Sequence, residues 1–539
     1  MLTEPQRLRR WVFDLFTDSF DCGFCSSSRR DMITLIKVIL CLCLPLVVFG
    51  QAATGGDRGI LTPPVSRKPR INGAKVYGVR PGHPFLYRIP ATGARPMKFS
   101  ARKLPKDLKL DSHTGVITGT VKKPGDYSVT LSAVNALGKA KRKFRIVAGK
   151  TLALSPPMGW SSWYMAYANI DDKLIRAEAD AMISSGLADH GYSYINIDDG
   201  WNVKPGATDP AIGGEPRNAD GTLKPNRNFP DMSALTAYVH EKGLKTGIYI
   251  SPGTRTCGGY EGSYQHEEQD ARLFAKWGFD FLKYDLCSYS KLMKDPNDSD
   301  ELQKPYRLMG TILEQLNRDF VFNLCEYGRG DVWKWGSEVG GNFWRTTGDL
   351  GDPKRGLWDS VSKIGFSEAG KEQWAGPGGW NDPDNILIGH ILQHDELVPT
   401  PLTHNEQYTH VTLWALLAAP MLFGGDMTQL DPFTLSLLTN DEVIDVDQDT
   451  LGKQAKPVYR SGDLQIWAKD LEGGSKAVGL FNLGESETEV TAQWSDLGLQ
   501  GKQIVRDIWR QKDVGIFDNE FHASVGRHGA ALMVIRASR

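Results

Sequence analysis

The chain has 539 residues, 40% of them hydrophobic and 24% charged, which is typical of a soluble globular protein with roughly two to four domains. Its 63 Lys and Arg residues nearly balance its 64 Asp and Glu residues. Because proteins that neutralise phosphates carry a basic excess, nucleic acid is not an expected partner. No Walker loop, glycine-rich dinucleotide turn or Gly-x-Ser-x-Gly elbow occurs, so no cofactor is expected either.

The first 53 residues have the order of a secretory leader. Lys37 precedes an uncharged apolar run from Val38 to Phe49, and small residues follow it. The run is too short to span a membrane comfortably. We therefore expect residues 1–53 to be a leader, with Met32 as a candidate true start. The mature protein is then secreted or periplasmic and makes no membrane contact; an uncleaved anchor and a cytosolic chain are the alternatives.

The seven cysteines are unevenly distributed, because four of them lie in this leader. Cys257, Cys287 and Cys325 remain in the mature chain. Three cysteines are too few for a disulfide scaffold and lack the spacing of a metal site, so no metal is expected. One disulfide with one spare thiol is the simplest arrangement.

Two short β-rich regions flank a longer central one. Residues 54–70 are rich in Gly, Pro and Ser and are predicted to be a linker. Within 71–148, the alternating strings YSVTLSAV and KRKFRIV and the candidate strands PFLYRIP and GVITGTV predict a small immunoglobulin-like β-sandwich. Residues 451–539 alternate again (LQIWAKD, KAVGLFNL, TEVTAQW, ALMVIRA), which predicts a C-terminal antiparallel β-sandwich.

The region 154–450 has a different rhythm. Eight short apolar runs recur with helical patterns between them: PPMGW, YSYINIDD, LKTGIYIS, FDFLKYD, FVFNLCE, FWRTTGD, GGWNDPD and PMLFGGD. Alternation of strand and helix implies parallel strands, and eight repeats predict a (β/α)8 barrel. The first, sixth and seventh strands rest on the shortest runs.

Carboxylates end six of these eight runs. They are Asp198 with Asp199, Asp285, Glu326, Asp349, Asp384 and Asp426. One strand-ending Asp is often only a helix cap. Because the carboxyl ends of barrel strands meet at one mouth, six such runs predict an acidic pocket there. Metal binding usually draws several acids from one loop, so sugar chemistry, which needs two carboxyl groups, is the favoured interpretation.

At this point the chain resembles a known family. The strings PPMGWSSW, YINIDDGW, LKTGIY, FDFLKYDLC, CEYG, WRTTGD and GWNDPD occur in the order found in glycoside hydrolase family 27. That family contains retaining α-galactosidases and α-N-acetylgalactosaminidases. The resemblance implies an exo-acting α-galactosidase that forms a covalent galactosyl-enzyme from an oligo- or polysaccharide substrate. An inactive sugar-binding barrel is the alternative from a different class, and the oligomeric state is left open.

The resemblance assigns the two reacting carboxylates. Asp285 would be the nucleophile and Asp349 the acid/base, and retaining chemistry requires them roughly 5–5.5 Å apart. Lys283 lies two positions before Asp285 and therefore faces the same side of the strand. Its positive charge should favour the ionised form of Asp285.

The remaining site residues also follow from the resemblance. Trp163, Asp198, Asp199, Tyr249, Lys283, Glu326, Arg345 and Asp384 would bind the sugar. Cys257 and Cys287 would be a bridged pair beside the nucleophile, whereas Cys325 lacks its usual partner and is expected to be unpaired.

The sugar preference depends on fewer positions. Galactosidases of the family carry Glu and a bulky residue near the 2-hydroxyl, where α-N-acetylgalactosaminidases carry small residues. The string Glu326-Tyr327-Gly328-Arg329 therefore favours galactose, although Arg329 adds a charge expected near the 2-hydroxyl. The presence of both Asp198 and Asp199 favours a 6-hydroxyl and argues against β-L-arabinopyranosidase activity.

Overall fold

The computed structural model describes residues 59–351 and 354–538. The predicted leader and the first part of the predicted linker lie outside these residues. Residues 59–69 have no regular secondary structure, but they lie along the central region. The Leu61 amide donates to the Tyr408 hydroxyl at 2.9 Å, and the Thr62 hydroxyl donates to the Ser436 carbonyl at 2.9 Å.

An immunoglobulin-like sandwich follows, as predicted. Its strands are β1 (Arg70–Ile71), β2 (Val76–Val79), β3 (Pro84–Arg88), β4 (Ala91–Thr92), β5 (Lys98–Arg102), β6 (Leu108–Leu110), β7 (Val116–Thr120), β8 (Gly125–Asn135) and β9 (Gly138–Ala148). The order β2-β9-β8-β5 forms one sheet and β3-β7-β6 another. In β8 the apolar positions of the alternating pattern, Val129, Leu131 and Ala133, are buried between the sheets.

The central region is the predicted barrel. Its parallel strands in the described chain are β10 (Met158–Ser161), β11 (Tyr194–Asn196), β12 (Lys245–Ile250), β13 (Phe281–Asp285), β14 (Val321–Cys325), β15 (Phe343–Arg345), β16 (Trp380–Asp382) and β19 (Met421–Phe423). The last strand pairs with the first. Parallel pairing of Ile386 with Phe423 closes the ring. All eight predicted runs therefore contain strands in the predicted order.

Helices connect most of these strands. They are α1 (Trp163–Ala166), α2 (Asp172–Ser184), α3 (Leu187–His190), α4 (Met232–Glu241), α5 (Glu267–Trp277), α6 (Ser299–Gln315), α7 (Leu357–Phe366), α8 (His404–Leu417), α9 (Pro432–Leu438) and α10 (Asp441–Asp447). Only short 3-10 turns, Arg329–Lys334 and Gly336–Val339, connect β14 to β15. A hairpin, β17 (His390–Gln393) and β18 (Glu396–Pro399), precedes α8. Within the described residues, no helix combines the length and the apolar character needed to cross a membrane.

The barrel interior is layered along its axis. An apolar cluster that includes Tyr194, Phe281 and Phe343 fills the end where the strands begin. Above it lies a polar layer around a small cavity of about 20 Å³, lined by Asn196, Lys283, Asn323, Arg345 and Asp382 among others. Because side chains alternate along a strand, Lys283 and Asp285 face inward while Tyr284 packs outward on Tyr306 and Phe322. The inward-facing polar side chains named here therefore lie beyond the apolar cluster, toward the end where the strands stop.

The immunoglobulin-like domain covers the opposite end of the barrel. Arg80 donates to Asp319 at 2.7 Å and to the Leu313 and Glu314 carbonyls at the end of α6. A cation at a helix C-terminus satisfies carbonyls that lack helical partners. This contact joins the immunoglobulin-like domain to the barrel at the end opposite the mouth.

A β-sandwich ends the chain, again as predicted. Its strands are β20 (Lys456–Ser461), β21 (Leu464–Asp470), β22 (Lys476–Asn482), β23 (Thr488–Gln493), β24 (Gln503–Asp507), β25 (Lys512–Phe517), β26 (Glu520–Val525) and β27 (Ala530–Ala537), with the short helix α11 (Trp494–Leu497) after β23. Helix α8 lies against it. The Trp509 indole donates to the Thr412 hydroxyl at 2.9 Å, and Lys469 donates to the Ala415 carbonyl at 2.9 Å.

Candidate active site

Asp285 is a buried carboxylate at the mouth. It ends β13 and is only 5% exposed. The Tyr327 hydroxyl donates to its Oδ1 at 2.6 Å, and the Tyr249 hydroxyl donates to its Oδ2 at 3.2 Å. Burial raises the pKa of Asp285 to about 6, although the charge of Lys283 and the hydrogen bond from Tyr327 lower it. Lys283 thus favours ionisation as expected, but burial outweighs it.

Lys283 connects this carboxylate to the acidic pair after β11. Its Nζ donates to Asp198 Oδ2 at 2.8 Å. Asp199 Oδ2 accepts the Gly258 amide at 2.7 Å, while Asp199 Oδ1 is buried without a hydrogen-bond partner. Burial raises the pKa of Asp199 to about 7, against the hydrogen bond from Gly258. The pair therefore offers carboxylate oxygens that a ligand's hydroxyl groups could satisfy.

A disulfide supports the loops beside Asp285. Cys257 and Cys287 are bonded, with their Cα atoms 5.0 Å apart. Cys325 is buried and unbonded, as expected. Within the described ranges, the group of ligand-type atoms close enough to hold a metal consists of these two cysteines and Asp285. Because both sulfurs are consumed by the disulfide, this group is not a metal site.

Arg345 joins two further carboxylates. Its Nη1 donates to Asp349 Oδ1 at 3.1 Å, and its Nη2 lies 3.1 Å from Asp384 Oδ2. Asp384 also accepts the Tyr164 hydroxyl and the Leu350 amide. Arg345 is buried, whereas the side chain of Asp349 is 47% exposed. Asp349 is therefore exposed, in contrast to the buried carboxylates Asp285 and Asp384.

Two other predicted residues, Trp163 and Glu326, follow the barrel strands β10 and β14. Trp163 begins α1 after the first barrel strand and contacts Tyr167 edge-on, with 5.1 Å between ring centroids. Glu326 is fully buried, and its Oε1 accepts the Gly328 amide at 3.1 Å. Burial raises the pKa of Glu326 well above its usual value. Its Oε2 is buried and has no hydrogen-bond partner among the described residues.

Two expectations from the sequence need correction. Asp426 was expected among the carboxylates of the mouth, but it caps the 3-10 turn Met427–Gln429 by accepting the Thr428 amide at 2.7 Å. The charge of Arg329 was expected near the 2-hydroxyl. Its guanidinium instead donates to the Pro296 carbonyl at 2.6 Å, because the turn after Gly328 directs it to the neighbouring loop.

Sequence reasoning also missed two residues of this site, Tyr164 and Asp382, and it considered Tyr327 only as a bulky residue near the 2-hydroxyl. Tyr327 bonds Asp285, Tyr164 bonds Asp384, and the buried Asp382 lines the polar cavity below them. Burial raises the pKa of Asp382 to about 6, against the charge of Arg345. Asp382 was recognisable in principle, since it ends β16 two positions before Asp384 and so faces the same side.

The opposite end of the barrel does not present a comparable site. A cleft of about 540 Å³ lies there, lined by residues that include Tyr77, Lys245 and Asp280. Lys245 donates to the Tyr77 hydroxyl, and Asp280 accepts from Arg318. Lys245 and Asp280 are therefore both engaged in contacts within this cleft.

Comparisons with known proteins match the whole described architecture. The family model described as Alpha galactosidase A matches residues 155–449, the Alpha galactosidase C-terminal beta sandwich domain matches 461–535, and an Ig domain model matches 68–149.

Comparison with individual proteins also finds similarity to α-galactosidases. The chain is 40% identical to the alpha-galactosidase of Coffea arabica over 420 residues, which is 77% of this chain and 99% of that protein. It is 39% identical to alpha-galactosidase 2 of Arabidopsis thaliana over 396 residues, which is 72% of this chain and 92% of that protein. A crystal structure from Bacteroides fragilis matches with a TM-score of 0.80 and 36% identity, covering 89% of this chain and all of that one.

Proposed function

This chain belongs to the α-galactosidase family of glycoside hydrolases, and on that premise we propose that it removes terminal α-D-galactosyl residues from oligo- or polysaccharides with retention of configuration. The observation that carries the proposal is the difference between two of the carboxylates of the mouth, Asp285 and Asp349. Asp285 is enclosed and held by two tyrosine hydroxyls, whereas Asp349 is half-exposed and held by Arg345. A nucleophile must be held in one orientation, and an acid/base must reach both the leaving group and water.

In the first step, Asp285 attacks the anomeric carbon. A bond forms between one carboxylate oxygen and that carbon as the bond to the aglycone oxygen breaks. Asp349 gives its proton to the departing oxygen, so the aglycone leaves as a neutral alcohol. The electron pair of the broken bond stays on that oxygen, and Asp285 becomes a galactosyl ester.

In the second step, water enters where the aglycone left. Asp349, now a carboxylate, takes a proton from the water as its oxygen bonds to the anomeric carbon. The ester bond breaks, and its electron pair returns to Asp285. Two inversions at one carbon give net retention. Repulsion from Asp349 contributes to the raised pKa of Asp285, which is consistent with two carboxylates close enough to share one substrate.

The sugar itself would be held by the polar groups around these carboxylates. Asp198 and Asp199 supply acceptors for its hydroxyl groups, and Lys283 supplies a donor. Trp163, Tyr249, Glu326, Arg345 and Asp384 complete the proposed set. Both members of the acidic pair are buried and fixed by hydrogen bonds, which favours galactose over a pentopyranose that lacks the 6-hydroxyl.

We also propose that residues 1–53 are a secretory leader and that the mature enzyme is exported. N-terminal sequencing of the protein collected outside the cytoplasm tests this directly. A mature start near residue 54 supports the proposal. Recovery of uncleaved protein from the cytosol alone contradicts it.

The reaction is tested by release of p-nitrophenol from its α-D-galactopyranoside, with the α-N-acetylgalactosaminide and the β-L-arabinopyranoside run in parallel. We expect turnover mainly on the galactoside, its loss in Asp285→Asn, and α-galactose as the first product seen by NMR. Activity on only another glycoside would replace the sugar assignment and keep the mechanism. Folded protein that binds galactosides without hydrolysing any would support the alternative of an inactive binding protein.

A further inference from the structure

The turn after β14 directs a tyrosine side chain toward the nucleophile. Tyr327 has φ +64°, in the left-handed region that bulky residues rarely adopt, and Gly328 follows with φ +78°. A Cβ on Gly328 would lie 2.1 Å from the Thr346 carbonyl oxygen, so only glycine fits there. A left-handed conformation at a bulky residue persists only where its surroundings hold it. At Tyr327 those surroundings include its hydrogen bond to Asp285.

The two oxygens of Asp285 are held unequally. Oδ1 accepts the Tyr327 hydroxyl at 2.6 Å, whereas Oδ2 accepts the Tyr249 hydroxyl at 3.2 Å. The Tyr249 hydroxyl is also 3.2 Å from Cys287 Sγ, and the Tyr327 hydroxyl is 3.4 Å from Cys257 Sγ. Short hydrogen bonds to a carboxylate are the strong ones. Oδ2 accepts the weaker hydrogen bond, so less hydrogen-bond energy is lost when Oδ2 forms a new covalent bond.

We propose that Tyr327 is a positioning residue that holds Oδ1 of Asp285, so that Oδ2 attacks the sugar and Oδ1 becomes the carbonyl oxygen of the galactosyl ester. The inference rests on the proposed function and adds a residue to it. Tyr327 does not need to touch the reacting carbon, because it acts through the carboxylate.

The hydrogen bond changes strength during the cycle. It is strongest when Asp285 is an anion and weaker when Asp285 is a neutral ester. In the first step negative charge leaves the carboxylate, so the bond gives no advantage to the attack. In the second step the C–Oδ2 bond breaks and the electron pair returns to the carboxylate, so the bond strengthens in the transition state. Tyr327 therefore accelerates hydrolysis of the ester more than its formation.

The same bond affects the ionisation of the free enzyme. It lowers the pKa of Asp285, which burial raises. The other titratable and charged groups facing Asp285 are Asp198, Asp199, Tyr249, Lys283, Tyr306, Cys325, Glu326 and Asp349. A Tyr327→Phe substitution leaves all of them in place and removes only the hydroxyl.

The test compares Tyr327→Phe with Tyr306→Phe in the full chain. Tyr306 is a matched control because it is also buried, and its hydroxyl contacts the Cys325 carbonyl at 3.4 Å rather than Asp285. In Tyr327→Phe we expect the acidic limb of kcat/KM for the p-nitrophenyl galactoside to move up by about one pH unit. We expect kcat to fall roughly tenfold while plateau kcat/KM changes less than about threefold, with a burst of p-nitrophenol. Tyr306→Phe should show none of these changes.

The outcomes separate this inference from the proposed function. Galactoside hydrolysis that requires Asp285, together with an unmoved acidic limb and no burst in Tyr327→Phe, overturns the role of Tyr327 alone. An equal loss in both variants, with a lowered melting temperature, also overturns it, since a structural role explains that result. Absence of hydrolysis in the unmodified enzyme overturns the proposed function instead.

Discussion

Two aspartates near opposite ends of one barrel strand have contrasting surroundings. Asp280 lies just before β13, where His240 Nε2 is 2.8 Å away and Arg318 and the Thr246 amide donate at 2.7 Å and 3.1 Å. Burial raises the pKa of Asp280, but His240 and Arg318 outweigh it and leave the pKa below its usual value. Asp285 ends the same strand, and burial there raises the pKa to about 6.

The pKa values of Asp280 and Asp285 differ because the two carboxylates have different partners, although both are next to the same strand. Both carboxylates are largely withdrawn from water, so both lose hydration. Asp280 is compensated by Arg318 and His240, and these contacts join α4 and the segment after α6 to the barrel. Asp285 is held by neutral hydroxyls and a single lysine, so its negative charge is under-compensated until substrate arrives. A buried carboxylate whose negative charge is under-compensated is more typical of an active site than of a stabilising ion pair.

The largest expected effect is on catalytic activity, which substitution of Asp285 should abolish and substitution of Asp280 should preserve. Asp285→Asn removes the nucleophile, so kcat/KM for the p-nitrophenyl galactoside should fall at least about 10⁴-fold. Asp280→Asn leaves the mouth intact, so its kcat should stay within about threefold of the unmodified enzyme at 25 °C. Steady-state kinetics on both folded variants measure this. Comparable losses in the two would remove the distinction between the ends of the strand.

The next effect tests the exposed carboxylate. Asp349→Asn removes the acid/base, which contributes roughly 10²–10⁴-fold in general acid–base catalysis. The loss should be larger for a galactosyl oligosaccharide, which needs a proton on its leaving group, than for p-nitrophenol, which leaves readily without one. Added azide should restore turnover and give α-galactosyl azide, because azide replaces water in the second inversion. A uniform loss on both substrates, with no rescue, would remove Asp349 from the acid/base role.

The smallest effect is on stability and has opposite signs at the two positions. Asp285 has a folded pKa of about 6 and an unfolded value of about 3.9, so its ionisation destabilises the fold as pH rises from about 4 to about 6. Asp285→Asn should therefore be more stable at pH 7, by at most about 3 kcal/mol, and lose that advantage below about pH 4.

Asp280 should behave in the opposite way. Its folded pKa is lowered, so its stabilisation is present above the unfolded value and is lost as pH falls through the folded value. Asp280→Asn should therefore lose about 3 kcal/mol at pH 7, since Arg318 is left without its anion. Urea unfolding of both variants at pH 4 and pH 7 measures the two signs. Destabilisation by Asp285→Asn at pH 7 would be incompatible with an under-compensated carboxylate.

Much of this architecture was predictable because it depends on local patterns. Buried parallel strands appear as short apolar runs, and the runs were separated by helical periodicity, so the order of the eight strands followed. The alternation in β8 and β9 likewise predicted the first sandwich. Asp198, Asp285 and Asp384 could be placed near the mouth because each directly ends a run.

The remaining features depend on contacts that no single run contains. Asp426 also ends a run, yet the residues after it form a short turn whose amide it caps. Tyr327 reaches Asp285 only because its backbone is left-handed, and a pattern of residue types does not predict that conformation in a tyrosine. The burial of Glu326 and the direction of Arg329 are consequences of the same turn.

The most direct test of the account is to trap the galactosyl-enzyme. A 5-fluoro-α-D-galactosyl fluoride should react quickly and hydrolyse slowly, because the fluorine destabilises both transition states while the fluoride leaving group still allows the first. After a brief reaction, mass spectrometry of the protease digest should show one added fluorogalactosyl group on Asp285, and none in Asp285→Asn. An adduct on another carboxylate, or steady turnover of a natural galactoside by Asp285→Asn, would contradict the assignment of Asp285 as the nucleophile.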